Sequence, residues 1–325
     1  MKNNLTLSIF LFPIFLGCSE RSKQTHKIDP RLSPKDFLES LEPDSIPKIF
    51  LPDVVSTGLH EHNGILSPEM DRLYYTVSDT NFTNFRVLQM PLKSNLKDMP
   101  TIASFSGEYT DHAVSFSPDG NVMYFSSTRP QRNLQDWDLW YSNKTDSSWN
   151  APQKMSGSVN TNLWESHASV TRHGSIYFQA NYDGGGYNFD IYVTHEENNT
   201  YKASEKLSSA VNSELIEATP FIAPDESYII FTSYNRADGY GDADLYISFK
   251  NENKQWTTAM NMGPTVNSVF EESNPNVSAD GAYFFFSSKR VLDDQKGQNT
   301  FGNGSMDVYW MKADIIEQLR TKIMD

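Results

Sequence analysis

The chain is poor in the residues that would tie it to several common functions. It holds one cysteine in 325 residues, Cys18, so neither an internal disulfide nor a cysteine-rich metal site can form. Lys and Arg number 27 against 41 Asp and Glu, a net charge of −14, and no basic run interrupts the sequence. A protein that grips a phosphate backbone gathers positive charge, so nucleic acid is not an expected partner. The nucleophile elbow Gly-x-Ser-x-Gly and the zinc pair His-Glu-x-x-His are both missing. The sialidase box Ser-x-Asp-x-Gly-x-Thr-Trp is missing too, because Ser117-Pro118-Asp119-Gly120 is not followed by its tryptophan. Gly184-Gly185-Gly186-Tyr187 lacks the Lys-Ser/Thr of a phosphate loop.

Aromatic residues, by contrast, make up 13% of the chain, mostly Tyr and Phe, as suits a β-rich protein. They recur with a period. Asp111 to Tyr141 contains an apolar-alternating run, a Pro118-Asp119-Gly120 turn, a second run around Tyr124-Phe125, a polar loop with Arg129, and a third run opening at Asp138. The acidic residue before each turn recurs as Glu61, Asp111, Glu165, Glu217 and Glu272, at spacings of 50, 54, 52 and 55 residues. Third strands open at Asp138, Asp190, Asp244 and Asp307, with Phe85-Arg86-Val87-Leu88 as a degenerate first copy. Leu51, Met155, Leu207 and Met262, with Val55, Val159, Val211 and Val266, place a fourth strand before each acidic residue.

Four strands per unit of about 50 residues, repeated radially, define an all-β fold, a single β-propeller of four-stranded blades. The last copy has three strands, and an extra strand, Lys48 to Thr57, precedes the first copy. If that strand completes the C-terminal blade, the ring closes with no free sheet edge and five blades result, with six as the alternative count. Short terminal helices are expected, one opened by Ser33-Pro34 and one over Ala313–Lys322 with Ile315, Ile316 and Leu319 on one face.

The chain is expected to divide into residues 1–17, 18–43 and 44–325. Lys2, the apolar stretch Leu5 to Leu16 and Leu16-Gly17-Cys18 resemble a bacterial lipoprotein signal. That resemblance implies cleavage before Cys18, lipidation of Cys18, and a membrane partner through the anchor. It implies a place in the bacterial cell envelope, at the outer membrane in preference to the inner, with the domain in the periplasm or at the cell surface. Residues 19 to about 32 then form a polar tether, residues 18–43 include the first helix, and residues 44–325 form the propeller with its terminal helix. The pattern Glu-x-x-Pro-x-x-Ser-Pro-Asp-Gly, an aromatic strand with Ser-Ser-x-Arg, and Asp-Ile/Leu-Tyr is met best by residues 111–141, 217–247 and 272–310. It resembles the WD-like propeller repeats of TolB-type periplasmic proteins, although the α/β domain of TolB has no counterpart here.

Candidate chemistry lies where the acidic residues start the innermost strands. Glu61, Asp111, Glu165, Glu217 and Glu272 are expected to ring the channel mouth beside Arg129, Arg236 and Arg290. Because a catalytic residue is used once and these recur, mutual pairing that locks the blades is weighed against an anionic funnel. His62, His112 and His167 lie in consecutive repeats. With Glu61 and Asp111, His62 and His112 are weak candidates for a divalent metal, similar in kind to the histidine-rich site of propeller-type pectic-oligomer lyases. The one-residue offset of His167 from His112 counts against convergence, since alternate strand residues face opposite ways. No cofactor beyond that metal is expected. Asp238, Asp242 and Asp244 offer oxygen ligands without EF-hand spacing. Trp137, Trp164 and Tyr240 are candidates to stack on sugar rings, and Trp149 to pack between blades.

The expected function is an envelope-anchored, non-catalytic propeller, monomeric, that binds a protein or glycan. A carbohydrate-active hydrolase or lyase at the channel mouth is the alternative. A Cys18→Ser chain made with its own leader is expected to move from the membrane fraction to the soluble fraction. Unchanged fractionation would dismiss the lipid anchor.

Overall fold

A computed structural model describes residues 32–324 except 94–98, 131–135, 147, 157–158, 183–185 and 199. The leader, Cys18 and most of the tether lie outside the described residues, as do Gly184 and Gly185.

Five four-stranded antiparallel sheets make five blades. Blade 1 contains strands His60–Leu66, Arg72–Ser78, Phe85–Pro91 and Thr101–Ile102. Blade 2 contains Asp111–Phe116, Val122–Ser127, Asp138–Asn143 and Gln153–Lys154; blade 3, Glu165–Val170, Ile176–Ala180, Asp190–Thr194 and Glu205–Lys206. Blade 4 contains Glu217–Ile222, Tyr228–Tyr234, Ala243–Phe249 and Met260–Asn261. Blade 5 takes Glu272–Val277, Tyr283–Ser288 and Asp307–Lys312 from the end of the chain and Lys48–Ile49 from its beginning. The ring is therefore closed by a strand from the N-terminal side, with Lys48 opposite Trp310 and Ile49 opposite Tyr309.

Each inner hairpin has a local cause. The Ser117 hydroxyl donates to Asp119 at 2.6 Å and accepts from the Val122 amide at 2.9 Å, while Gly120 takes φ +73°. Ser278, Asp280, Tyr283 and Gly281 repeat that turn. Where glycine is absent, Met70 and Glu226 adopt the same left-handed conformation at φ 57° and 58°.

The fourth strands are shorter than the expected ones. Val159, Val211 and Val266 are fully buried, and the last two sit in turns closed onto Ser208 and Gly263, outside the ladder. The next residue does the ladder's work. Asn160, Asn212 and Asn267 each accept from and donate to the backbone of one third-strand residue, Leu139, Ile191 and Leu245, at 2.7–3.0 Å. Ser56 makes the same exchange with Val308. The closing strand is likewise cut short of Thr57, because Pro52 has no N–H and Leu51 and Asp53 turn the chain with positive φ.

Among the described residues the core is divided. Five hydrophobic clusters fill the five gaps between neighbouring blades. Helix α1 (Pro34–Ser40), capped by Ser33 with proline in its first turn, buries Phe37 and Leu38 in the gap between blades 5 and 1. Helix α2 (Asp314–Met324) covers the gap between blades 4 and 5 with Ile316 and Leu319. Phe50, fully buried, meets Phe285 and Trp310 edge-on at centroid distances of 5.3 and 5.1 Å. Phe50→Ala is expected to cost about 3–5 kcal/mol in urea unfolding, with an unchanged slope if the ring still unfolds as one unit. A loss under 1 kcal/mol would show that the closing segment does not hold the ring.

Candidate functional site

The five carboxylates are spent on the fold. Glu61, Glu165, Glu217 and Glu272 each accept from the amide and hydroxyl of a Ser or Thr four residues earlier: Thr57, Thr161, Ser213 and Ser268. Arg129, Arg236 and Arg290 pair with Asp111, Glu217 and Glu272 at 3.1, 2.9 and 3.3 Å. Each guanidinium lies over two aromatic rings of its own blade and donates to a carbonyl six residues before its carboxylate, those of Phe105, Val211 and Val266. Blade 3 has Tyr182 in the arginine's place. Its hydroxyl reaches the matching Val159 carbonyl at 2.9 Å but brings no charge. Burial, uncompensated by a cation, therefore raises Glu165 to about 7.

The residues after the carboxylates go elsewhere. Two positions on, Asn63, Ala113, His167, Thr219 and Asn274 all have left-handed φ between 48° and 56°, and the inner ladder shifts register there. Each of these bulge amides finds a side-chain oxygen. Asn63, Ala113, His167 and Thr219 donate to Ser287, Thr76, Ser126 and Gln179 of the preceding blade at 2.8–3.4 Å. Asn274 donates to the Thr219 hydroxyl, itself bonded to Thr232. The bulge breaks strict alternation, so the one-residue offset does not separate the histidines. The rings of His112 and His167 lie 4.8 Å apart, and His62, His112 and His167 line one cavity.

That cavity, of about 460 Å³, opens on the face where the innermost strands begin. Aromatic rings form an arc along blades 1 to 3. Phe85 lies 5.3 Å from His112 and 5.6 Å from Trp137, Trp137 stacks on Trp164 at 6.0 Å, and Trp164 meets Tyr187 and Phe189 at 5.6 and 5.1 Å. Loop contacts hold the arc in place. Asp79 accepts from Thr83 and Asn84 and so shapes the loop bearing Phe82, while Asn181 fastens Trp164 and Gly186. The facing side carries the polar groups Tyr234, Glu271, Asn274 and Lys289 beside Ile216, Ala218 and Met306. Below it the channel narrows to about 20 Å³ between Asn63, Ser115, Ser169, Thr219, Asn274 and Asn276. For any ligand larger than water the cavity is therefore a blind pocket, larger than the opposite mouth of about 210 Å³.

Burial lowers His62 to about 3 and His167 to about 4, and pushes His112 well below its ordinary value; the nearby His167 ring further depresses His62 and His112. All three imidazoles are neutral near pH 7. The Nε2 atoms of His62 and His112 and the Nε1 of Trp137 are buried with no hydrogen-bond partner among the described residues. Buried polar atoms left open in this way are unusual in a folded protein and mark positions a ligand can satisfy.

The expected site residues thus separate into two groups. His62, His112 and His167 line the cavity, whereas Glu61, Asp111, Glu165, Glu217, Glu272, Arg129, Arg236 and Arg290 do not. The metal set of Glu61, His62, Asp111 and His112 is not assembled, since both carboxylates are held inside their blades. His167 Nε2 is engaged by Asn274 at 3.2 Å, and no group of three or more potential ligands among the described residues is placed to hold a metal ion. Asp244 is occupied by the Tyr240 and Gly241 amides and Asn261, and Asp238 by the Tyr246 hydroxyl. Trp137 and Trp164 line the cavity, Tyr240 does not, and Trp149 packs against Tyr74 and Phe116. Phe82, Phe85, Phe189, Glu271 and Lys289 were not foreseen, though one signal was available. Position by position, they are where the repeat is broken: the residue before the carboxylate is His60, Thr110, Trp164 and Ile216 in four blades and Glu271 in the fifth.

No family model and no curated protein matches the sequence. Solved structures do match in fold. A glycoside hydrolase is similar with a TM-score of 0.52 at 8% identity, over 87% of this chain and 96% of that one. An alpha-L-arabinofuranosidase from Lactobacillus brevis has a TM-score of 0.50 at 11% identity, over 80% and 92%. A thermostable family-43 glycoside hydrolase has a TM-score of 0.50 at 12% identity, over 81% and 92%. At such identities the likeness carries the fold, a β-propeller, and nothing supports the narrower TolB-type resemblance. The expectation of a non-catalytic binding propeller is not kept, because the solved propellers that share this fold are named as glycoside hydrolases.

The Glu165 carboxyl gives a pH signature. Between about pH 4.5 and 7 the folded chain keeps a proton that the unfolded chain has released, so this group makes stability fall as pH rises. Glu165→Gln is expected to remove about 3 kcal/mol of that fall. Urea midpoints at pH 5 and 8 that shift equally in both proteins would show that Glu165 is ionised throughout.

Proposed function

We propose that the protein is a carbohydrate-active enzyme that takes the end of a glycan into the blind pocket and cleaves it there. The observation that carries this reading is the asymmetry of the pocket. An arc of aromatic faces stands on one side, hydrogen-bonding groups on the other, and with them buried nitrogens that have no partner among the described residues. A sugar ring has apolar C–H faces and a polar edge, and this arrangement suits both. The pocket volume lies within the range of small-molecule sites.

Proton transfer would rest on groups the pocket supplies. Among the described residues Glu271 is its one lining carboxylate, and His62, His112 and His167 are its neutral imidazoles. A neutral imidazole is a base and a carboxyl group an acid or base, which are the two roles that glycosidic cleavage requires. With a lipid on Cys18, this activity would sit at the bacterial envelope.

The test is binding and turnover with a panel of oligosaccharides, read by tryptophan fluorescence and product analysis. A glycan that shifts the fluorescence and is cleaved supports the reading. Trp164→Ala is expected to weaken its binding about tenfold, near 1.4 kcal/mol. A panel that yields neither binding nor products would overturn it.

A further inference from the structure

The charge of the pocket narrows its ligand. Glu271 and Lys289 are its charged lining pair among the described residues, and they are joined to each other at 2.6 Å. The contact is built into blade 5 and its neighbours. The Lys289 amide donates to the Glu271 carbonyl at 3.0 Å, and Glu271 bridges to Ala243 of blade 4. The Lys289 ammonium also lies 5.7 Å from the centre of the Phe82 ring, across the blade 5 to blade 1 gap. The cation is thus held by a carboxylate beneath and an aromatic face in front.

We propose that this pair makes the pocket a site for an uncharged sugar ring, with Glu271 as the residue that excludes uronates and other anionic glycosyl groups. The proposal rests on the carbohydrate reading above and specifies its substrate class. Recognition of a sugar carboxylate requires a cation free to pair with it. Here the lysine charge is already neutralised, the three imidazoles are neutral near pH 7, and the chain as a whole carries −14. A uronate entering would leave water for a pocket whose one ammonium has a better-placed partner, and it would meet the Glu271 carboxylate at close range. An uncharged ring meets neither cost. Elimination from a uronide also needs its carboxylate neutralised, so the same pair favours hydrolysis over lyase chemistry.

The experiment is isothermal titration of the folded protein with neutral arabino-, xylo-, galacto- and gluco-oligosaccharides and with oligogalacturonides, at low and moderate salt. The wild type is expected to bind at least one neutral series and to bind oligogalacturonides at least tenfold more weakly. Glu271→Gln, which frees the Lys289 charge, is expected to improve oligogalacturonide affinity relative to the neutral ligand by about tenfold. The gain should shrink as salt rises. Lys289→Met should abolish that gain when combined with Glu271→Gln, and its melting temperature checks that the pocket still folds. A wild type that prefers oligogalacturonides, or a Glu271→Gln variant with an unchanged ratio, would overturn the specificity while leaving the carbohydrate reading standing. Failure of every glycan to bind would overturn both.

Discussion

One backbone kink carries the molecule. In each innermost strand the residue two after the carboxylate is forced into the left-handed region, which costs an L-residue roughly 1–2 kcal/mol. Five repetitions of that cost are borne because each freed amide reaches a side-chain oxygen on the preceding blade. The kinks thereby stitch blade to blade around the axis. They also turn one further residue per blade towards the channel, and three of these, His167, Thr219 and Asn274, line the pocket floor with loop residues around them.

This division explains why the carboxylates and the histidines part company. On one side of the kink lies a repeated lock of a buried carboxylate, hydroxyl groups and, in three blades, arginine. Beyond it lie residues that differ from blade to blade. Structural demands are the same in every blade and so produce repetition. A ligand has no five-fold symmetry, and the residues that meet it need not repeat. The loss of arginine at Tyr182, and the pairing of Ile49 opposite Tyr309 where blades 2 and 3 present Lys154 and Lys206 to Asp138 and Asp190, show the lock relaxed locally. Glu165 and Asp307 are the outcome, both raised to about 7 by burial that no cation offsets.

The pocket itself is a consequence of closure. Its aromatic arc comes from blades 1 to 3 and its polar side from blades 4 and 5, so residues more than 200 positions apart in the chain face one another. The two-residue strand Lys48–Ile49, together with Phe50, holds blade 5 beside blade 1 and with it Lys289 beside Phe82.

The sequence by itself determined the fold class, the blade number, the manner of closure and both terminal helices, because each rests on local chemistry repeated five times. Pro-Asp-Gly turns, alternating aromatic strands and Ser-Pro caps act over a few residues and leave a periodic trace. The recurrence of the Glu and Arg residues left a structural lock and a binding funnel both open, and only their buried pairing decided for the lock. Only the tertiary structure decided where His167 points, because a left-handed bulge reverses the alternation from which side-chain direction is read. Only the tertiary structure brought Glu271 and Lys289 into a pocket with Trp137 and Trp164. Those residues appear once each, and the contacts between them depend on the angle at which five blades meet.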